Sequence, residues 1–285
     1  MQVVMDEVMG GMPLIASISI KAQELPFGAW FTNSIFVAVL VLLLVGFFAI
    51  RATKNMTLVP HPAQNFFEWI VEFLYGQVEG IVGKRVAPRA FPLLATLFIF
   101  ILVSNWMGLL PGVGTVGWGQ PGEAPLALDE LNVALFRPAT ADLNMTLGMA
   151  ASFMIVWAWL TISDLGVIGF IEHTFAPKGG LKGFLWWALL PIFIFVGAIE
   201  LISIAFRPVS LSLRLFGNVF AGETLLHTMS TLGDQMPPWA SFLASVAFPL
   251  PFYFLELLVG LLQAMVFALL CAVYIQLSSA HEEHH

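Results

Sequence analysis

Charged residues are scarce in this chain. Asp, Glu, Lys and Arg make up 10% of its 285 positions, against about 25% in a soluble globular protein, so a conventional water-facing surface is excluded. Cations are the scarcer sign: 11 Lys and Arg against 18 Asp and Glu leave a net charge of −7, which argues against nucleic acid and other polyanionic partners. The single cysteine, Cys271, lies in an apolar run, so no internal disulfide can form and the redox compartment stays undetermined. A Gly-x-x-x-x-Gly-Lys-Ser/Thr loop for nucleotide phosphates is missing, and no Cys/His cluster points to zinc. No cofactor or metal is expected. The acidic stretch from Met1 to Gly11 lacks the basic start of a signal peptide. There is no internal repeat and no low-complexity tract.

Apolar residues take the space that charge leaves: 59% of the chain is hydrophobic, with 26 Phe and 9 Trp. Several runs reach the roughly 20 residues that cross about 30 Å of hydrocarbon. The expected fold is an all-α polytopic membrane protein, one membrane domain over residues 1–285, with about five membrane segments. The first span is near Trp30–Ile50, the second Phe91–Pro111 and the third Leu143–Ser163. Two longer apolar segments follow, one from Phe184 to about Leu232 and one from Trp239 to Leu277. At 1.5 Å per residue, 186–232 would reach roughly 70 Å and 239–277 roughly 58 Å. Either each arm breaks, as Pro191, Pro208, Pro249 and Pro251 allow, or both lie strongly tilted. Near-continuous apolarity favours a long, tilted hairpin over 184–278, with a surface shaped for a membrane partner.

Lys and Arg set the expected orientation. Arg51, Lys54, Lys84, Arg85 and Arg89 fall between the first two spans, and Lys178 and Lys182 follow the third. The loop 112–142 holds Arg137 beside Glu123, Asp129, Glu130 and Asp142. By the positive-inside rule, the N-terminal segment 1–29 is outside and the C-terminus cytoplasmic. Residues 63–82 read as an amphipathic helix at the cytoplasmic surface, with Phe66, Phe67, Ile70, Val71, Phe73 and Leu74 on one side and Glu68, Glu72 and Glu79 on the other. Membrane-seeking helices usually carry a basic polar face, so the acidic one fits a protein partner better than membrane lipid.

Polar residues on the hairpin form a pattern. Arg214 cannot shed its charge, and placing it at a bilayer centre costs roughly 2.5–3.5 kcal/mol on insertion scales. Glu200, Arg207 and Arg214 are spaced by seven and share a stripe, with Asn218 one turn beyond Arg214. On the return arm Glu256, Gly260 and Gln263 share another. Counted from the turn near residue 235, Arg214 and Gln263 lie at comparable depth and are expected to face each other. Glu223 and Glu256 lie nearer the outer turn, Glu200 nearer the cytoplasm. Acidic groups on both sides of a fixed cation suit two aqueous half-paths meeting at a barrier, a device that hands ions to a moving carrier. Arg207, just before Pro208, is expected to snorkel or to pair with Glu200. His227 reads as an interfacial histidine, and His281, His284 and His285 as a solvated tail.

The run Pro208-Val-Ser-Leu-Ser-Leu-Arg-Leu-Phe-Gly-Asn-Val-Phe-Ala-Gly-Glu223 resembles the signature of subunit a of F-type rotary ATP synthases. Similar too are Gln263-Ala264 with the following apolar helix and the tail from Ala280, the run Ser104-Asn-Trp-Met-Gly-Leu-Leu-Pro111, and Arg137-Pro-Ala-Thr-Ala-Asp-Leu-Asn144. The resemblance implies a non-catalytic, proton-conducting stator subunit, with ATP chemistry on other subunits. Arg214 would face the carboxylates of the c-ring and block leakage, with Gln263 as its partner. Asn218, Glu223 and Glu256, with Asn105 and Thr140, would line the outer half-channel, and Glu200 and Ser203 the cytoplasmic one. Peripheral-stalk b subunits would dock on the amphipathic helix. Two positions depart from the pattern of some members: Glu256 where a histidine pairs with the first helix's glutamate, and Gly108 where an aspartate stands. The outer path is therefore expected to rely on a Glu223–Glu256 carboxylate pair. The pattern, without a transit peptide, favours a bacterial plasma membrane. The rival is a secondary transporter that binds an anionic substrate at Arg214; broken helices would suit it, but inverted repeats are missing and the spans are few.

Overall fold

The computed structural model describes residues 22–25, 31–54, 56–57, 59–110, 113, 116–121, 128–175, 184–234 and 236–279. Most of the segment 1–29, the loop with Lys178 and Lys182, and the tail with His281, His284 and His285 lie outside them. The chain is almost wholly helical, and its described helices provide five stretches long and apolar enough to cross a membrane.

Helix α1 (Asn33–Thr53) starts where the Thr32 hydroxyl accepts from the Ile35 N–H at 3.4 Å. Helix α2 (Pro62–Met107) joins the expected amphipathic helix to the second span and turns at Gly83, whose φ of 79° and ψ of 162° are open to glycine alone. Leu74, Val78 and Val82 turn inward from its first half. Phe66 and Phe73, on the expected apolar side, are exposed and stack with Trp69 in a ladder, Phe66–Trp69–Phe73. Gly80 and Gly83 both have open space around them, and only Gly83 has a positive φ. Gly83→Ala is therefore expected to lower stability in detergent by about 1–3 kcal/mol, with Gly80→Ala close to wild type, as read from thermal unfolding.

Helix α3 (Leu143–Phe175) carries the third span and turns similarly at Gly166. Between α2 and α3 the chain forms an antiparallel ribbon of β1 (Gly117–Pro121) and β2 (Leu128–Ala134) and a 3-10 turn, Ala139–Ala141. Nothing in the sequence marks this ribbon, because Gly117, Gly119 and Pro121 carry no strand alternation. Asn33 Nδ2 donates to the Ala134 carbonyl at 3.1 Å, and the Ala134 N–H donates to Gln23 Oε1 at 3.1 Å, so the ribbon is fastened to the start of α1.

The long hairpin splits its expectation. Its first arm is one unbroken helix, α4 (Phe184–Asp234), despite Pro191 and Pro208. At 51 residues it extends about 76 Å, too long to stand upright in about 30 Å of hydrocarbon. The return arm breaks into α5 (Pro238–Ala247) and α6 (Leu250–Ser279). Pro249 supplies no N–H at the junction; the Phe248 N–H closes α5 on the Ala244 carbonyl, and the Tyr253 N–H opens α6 on the Pro249 carbonyl.

Helix α2 packs chiefly on α6, and α3 on α4. Their shared core includes Ile101, Phe153, Leu211, Leu215 and Phe267. On α6, Ala264, Ala268, Cys271 and Ala272 are buried together. Small residues let helix backbones approach where lipid offers no hydrophobic drive.

Candidate ion-path site

Arg214, Asn218 and Glu223 ride on α4, and Glu256 and Gln263 on α6. Opposed depth in the hairpin brings the two sets together. Asn218 Nδ2 donates to Gln263 Oε1 at 2.7 Å, so a polar bridge crosses the hairpin one turn from Arg214. Gln263 is 6% exposed, whereas Arg214 and Asn218 lie open at the surface. Among the described residues no carboxylate pairs with Arg214. The open surface of the two helices is apolar: Leu213 on α4 and Leu258 and Leu262 on α6 are all more than half exposed.

A second cluster gathers toward the far end of α4. Asn105, near the end of α2, accepts from the Thr140 hydroxyl at 2.7 Å and donates from Nδ2 to the Gly260 carbonyl at 3.3 Å. Trp106 Nε1 adds a bond to the Leu257 carbonyl at 3.1 Å. These tie the 3-10 turn, α2 and α6 into one wall. The Glu256 carboxyl lies against Gly222, where a Cβ would collide with it. Glu223 follows next in sequence, so both outer carboxylates flank one point of α4. The Pro138 ring fills the space a side chain at Gly108 would need; an aspartate at that position would not fit this packing.

Arg137 is the member that sequence reasoning missed. It is 6% exposed, and its Nε lies 3.9 Å from Glu223 Oε2. Its Nη2 donates to the Ala141 carbonyl at 3.4 Å. Helical periodicity relates residues within one element; it cannot connect a loop arginine to a glutamate 86 positions later. The one sequence signal was its burial-prone setting, Phe136-Arg-Pro138.

Glu200 and Ser203 stand apart. Fourteen and eleven residues before Arg214 on a continuous helix, they lie about 21 and 16 Å from it. Ser203 is exposed and Glu200 partly so. Arg207 does not snorkel freely: its guanidinium lies 4.6 Å from the Tyr274 ring centroid and 5.6 Å from that of Trp157. Trp157 Nε1 donates to the Tyr274 carbonyl at 3.0 Å. Cation–π contact with two rings replaces the expected pairing with Glu200 and joins α3, α4 and α6.

Fold and site define a polytopic membrane protein whose polar side chains are gathered along one helical hairpin, around an arginine left open at an apolar surface. Comparison with known sequences is specific. The family model described as ATP synthase A chain matches residues 34–276. The chain is 35% identical over 250 residues to an ATP synthase subunit a of Mycobacterium ulcerans (strain Agy99), covering 87% of this chain and 86% of that one. It is 33% identical over 267 residues to the ATP synthase subunit a of Pseudomonas fluorescens (strain SBW25), covering 93% and 88%. A 33% match over 271 residues to that of Ruthia magnifica subsp. Calyptogena magnifica covers 93% and 87%. The chain belongs to the ATP synthase subunit a family.

Proposed function

We propose that this chain is the proton-conducting stator subunit in the membrane part of a bacterial ATP synthase. It is non-catalytic, spans the plasma membrane several times with its N-terminus outside and its C-terminus cytoplasmic, and works against a ring of c subunits. Stalk b subunits are its other protein partners. The observation that carries this reading is Arg214: a permanent cation on an apolar hairpin surface, with no carboxylate from the described residues beside it. A cation left so in hydrocarbon is costly and calls for an anion from outside the chain, which ring carboxylates supply.

Around that cation the residues divide by depth. Asn105, Thr140, Asn218, Glu223 and Glu256 lead protons between the outer side and the ring, and Glu200 and Ser203 lead them to the cytoplasm. Gln263, bonded to Asn218, braces the hairpin beside Arg214. A proton on a ring carboxylate passes the arginine only by rotation, because a fixed positive charge in low dielectric opposes direct transfer across the barrier.

Leu213, next to Arg214 and 51% exposed, offers the test. A benzophenone attached to L213C is expected to crosslink to a ring subunit in assembled membranes on illumination and to stop ATP-driven proton pumping. The native thiol of Cys271 is buried and stays silent. Attachment to lipid alone, with pumping unchanged after illumination, would return Arg214 to the anion-binding transporter reading.

A further inference from the structure

We propose that Arg137 is a positioning residue for the ion path, holding the Glu223 carboxylate at the inner end of a cavity between the start of α1 and the end of α2. The proposal rests on the reading of Glu223 as a path residue. Three contacts fix the loop that carries Arg137. Pro138 sits on Gly108, the Thr140 hydroxyl is bonded to Asn105, and the Arg137 guanidinium is bonded to the Ala141 carbonyl. The side chain has little freedom, and its Nε lies 3.9 Å from Glu223 Oε2.

The same side chain lines a cavity of about 230 Å³ whose other walls include Val37, Met107, Leu110, Val113 and Phe136. That volume holds several waters, each with a share of about 30 Å³. All of those walls are apolar, so the guanidinium is the polar wall that water entering the cavity meets, and the Glu223 carboxylate lies 3.9 Å from its Nε. Among the described residues, the charged and titratable groups on the elements that meet Glu223 are Arg137 across from it, Glu256 on α6 against the adjoining Gly222, His227 one turn along its own helix, and Asp142 farther along the anchored loop. Arg137 is, among the described residues, the one cation with an ion-pair contact to it. A carboxylate held by a fixed guanidinium keeps one place between cavity and ring, which a relay with a defined entry requires. A buried charge stripped of its partner has no such restraint.

The experiment uses the whole ATP synthase in inverted vesicles with R137Q, R137K, E223Q and the double variant R137Q/E223Q, with assembly followed by immunoblot. R137Q is expected to lower passive proton flux through the membrane sector on the order of tenfold, as misplacement of a reacting group does. R137K, which keeps the charge, should recover most of that loss. In the double variant, R137Q should add no further loss to that of E223Q. Native flux in R137Q, or multiplying losses in the double variant, would overturn the proposal while leaving Glu223 in the path. So would an R137Q chain that fails to assemble and is not restored by E223Q. Native flux in E223Q would instead overturn the reading of Glu223 itself.

Discussion

Replacing Arg214 by Ala is expected to abolish ATP-driven proton pumping in inverted membrane vesicles while the complex still assembles, and to raise passive leak. The arginine is surface-exposed on α4 and contributes little to internal packing, so its loss leaves no buried hole. It also relieves a cost of roughly 2.5–3.5 kcal/mol for a cation at membrane depth, so stability should hold or rise. What disappears is the barrier. With about 2.3 kcal/mol available for each charge crossing 100 mV, protons would then run between the half-paths without turning the ring. The Asn218–Gln263 bridge survives the substitution and offers only neutral polar groups, which do not repel a proton. Normal pumping in R214A would sink the rotary reading.

The second large effect is expected at Gly222, where function and stability should move in opposite directions. The atoms nearest to a Cβ there belong to the carboxyl end of Glu256, the mobile tip of a flexible side chain. The tip can swing aside, and alanine is about 1 kcal/mol better than glycine inside a helix. Gly222→Ala should therefore unfold no earlier than wild type. Glu256 would nonetheless be displaced by an ångström or more, and misplacement of that size costs up to about a hundredfold in rate. Gly148→Ala, at a helical glycine with open space, is the control and should pump normally. Loss of flux in both variants, or in neither, would deny Gly222 this role. Gly233 differs in kind, because a Cβ there would meet the backbone of Ala244 and Ser245, which cannot step aside.

How much was legible beforehand depended on whether a feature lies along one helix or between elements. Apolar runs located the spans, and counting depth from the hairpin turn set Arg214 opposite Gln263, whereas the hydrogen bond of Gln263 goes to Asn218, one turn along α4. The length of α4 could be read because its apolar run continues past both prolines, and the helix is unbroken across them. The same reasoning overran Pro249, where a missing N–H divides the return arm. Contacts between elements distant in sequence were illegible: Arg137 with Glu223, Arg207 with Tyr274 and Trp157, Pro138 on Gly108. Each depends on how loops and helices are laid against one another, and no periodicity encodes that. Which apolar side chains of α2 meet the protein was not legible for a related reason. Phe66, Trp69 and Phe73 found each other instead of the core, and hydrophobicity alone does not say whether a ring faces protein or membrane.

Helix α4 has a further consequence for the life of the chain in the cell. In the most apolar 18 residues of its span Pro191–Gly233, only 6% are buried within the protein, against 44% in the most apolar 18 residues of Trp239–Ser278. That part of the longest helix thus owes most of its surroundings to other molecules. Anything that binds the native form alone adds to its stability, so the folding free energy of this polypeptide belongs in large part to its assembly. Made without its partners, it should be short-lived, a substrate for membrane proteases from synthesis onward. Its abundance would then follow the supply of those partners and not its own rate of translation.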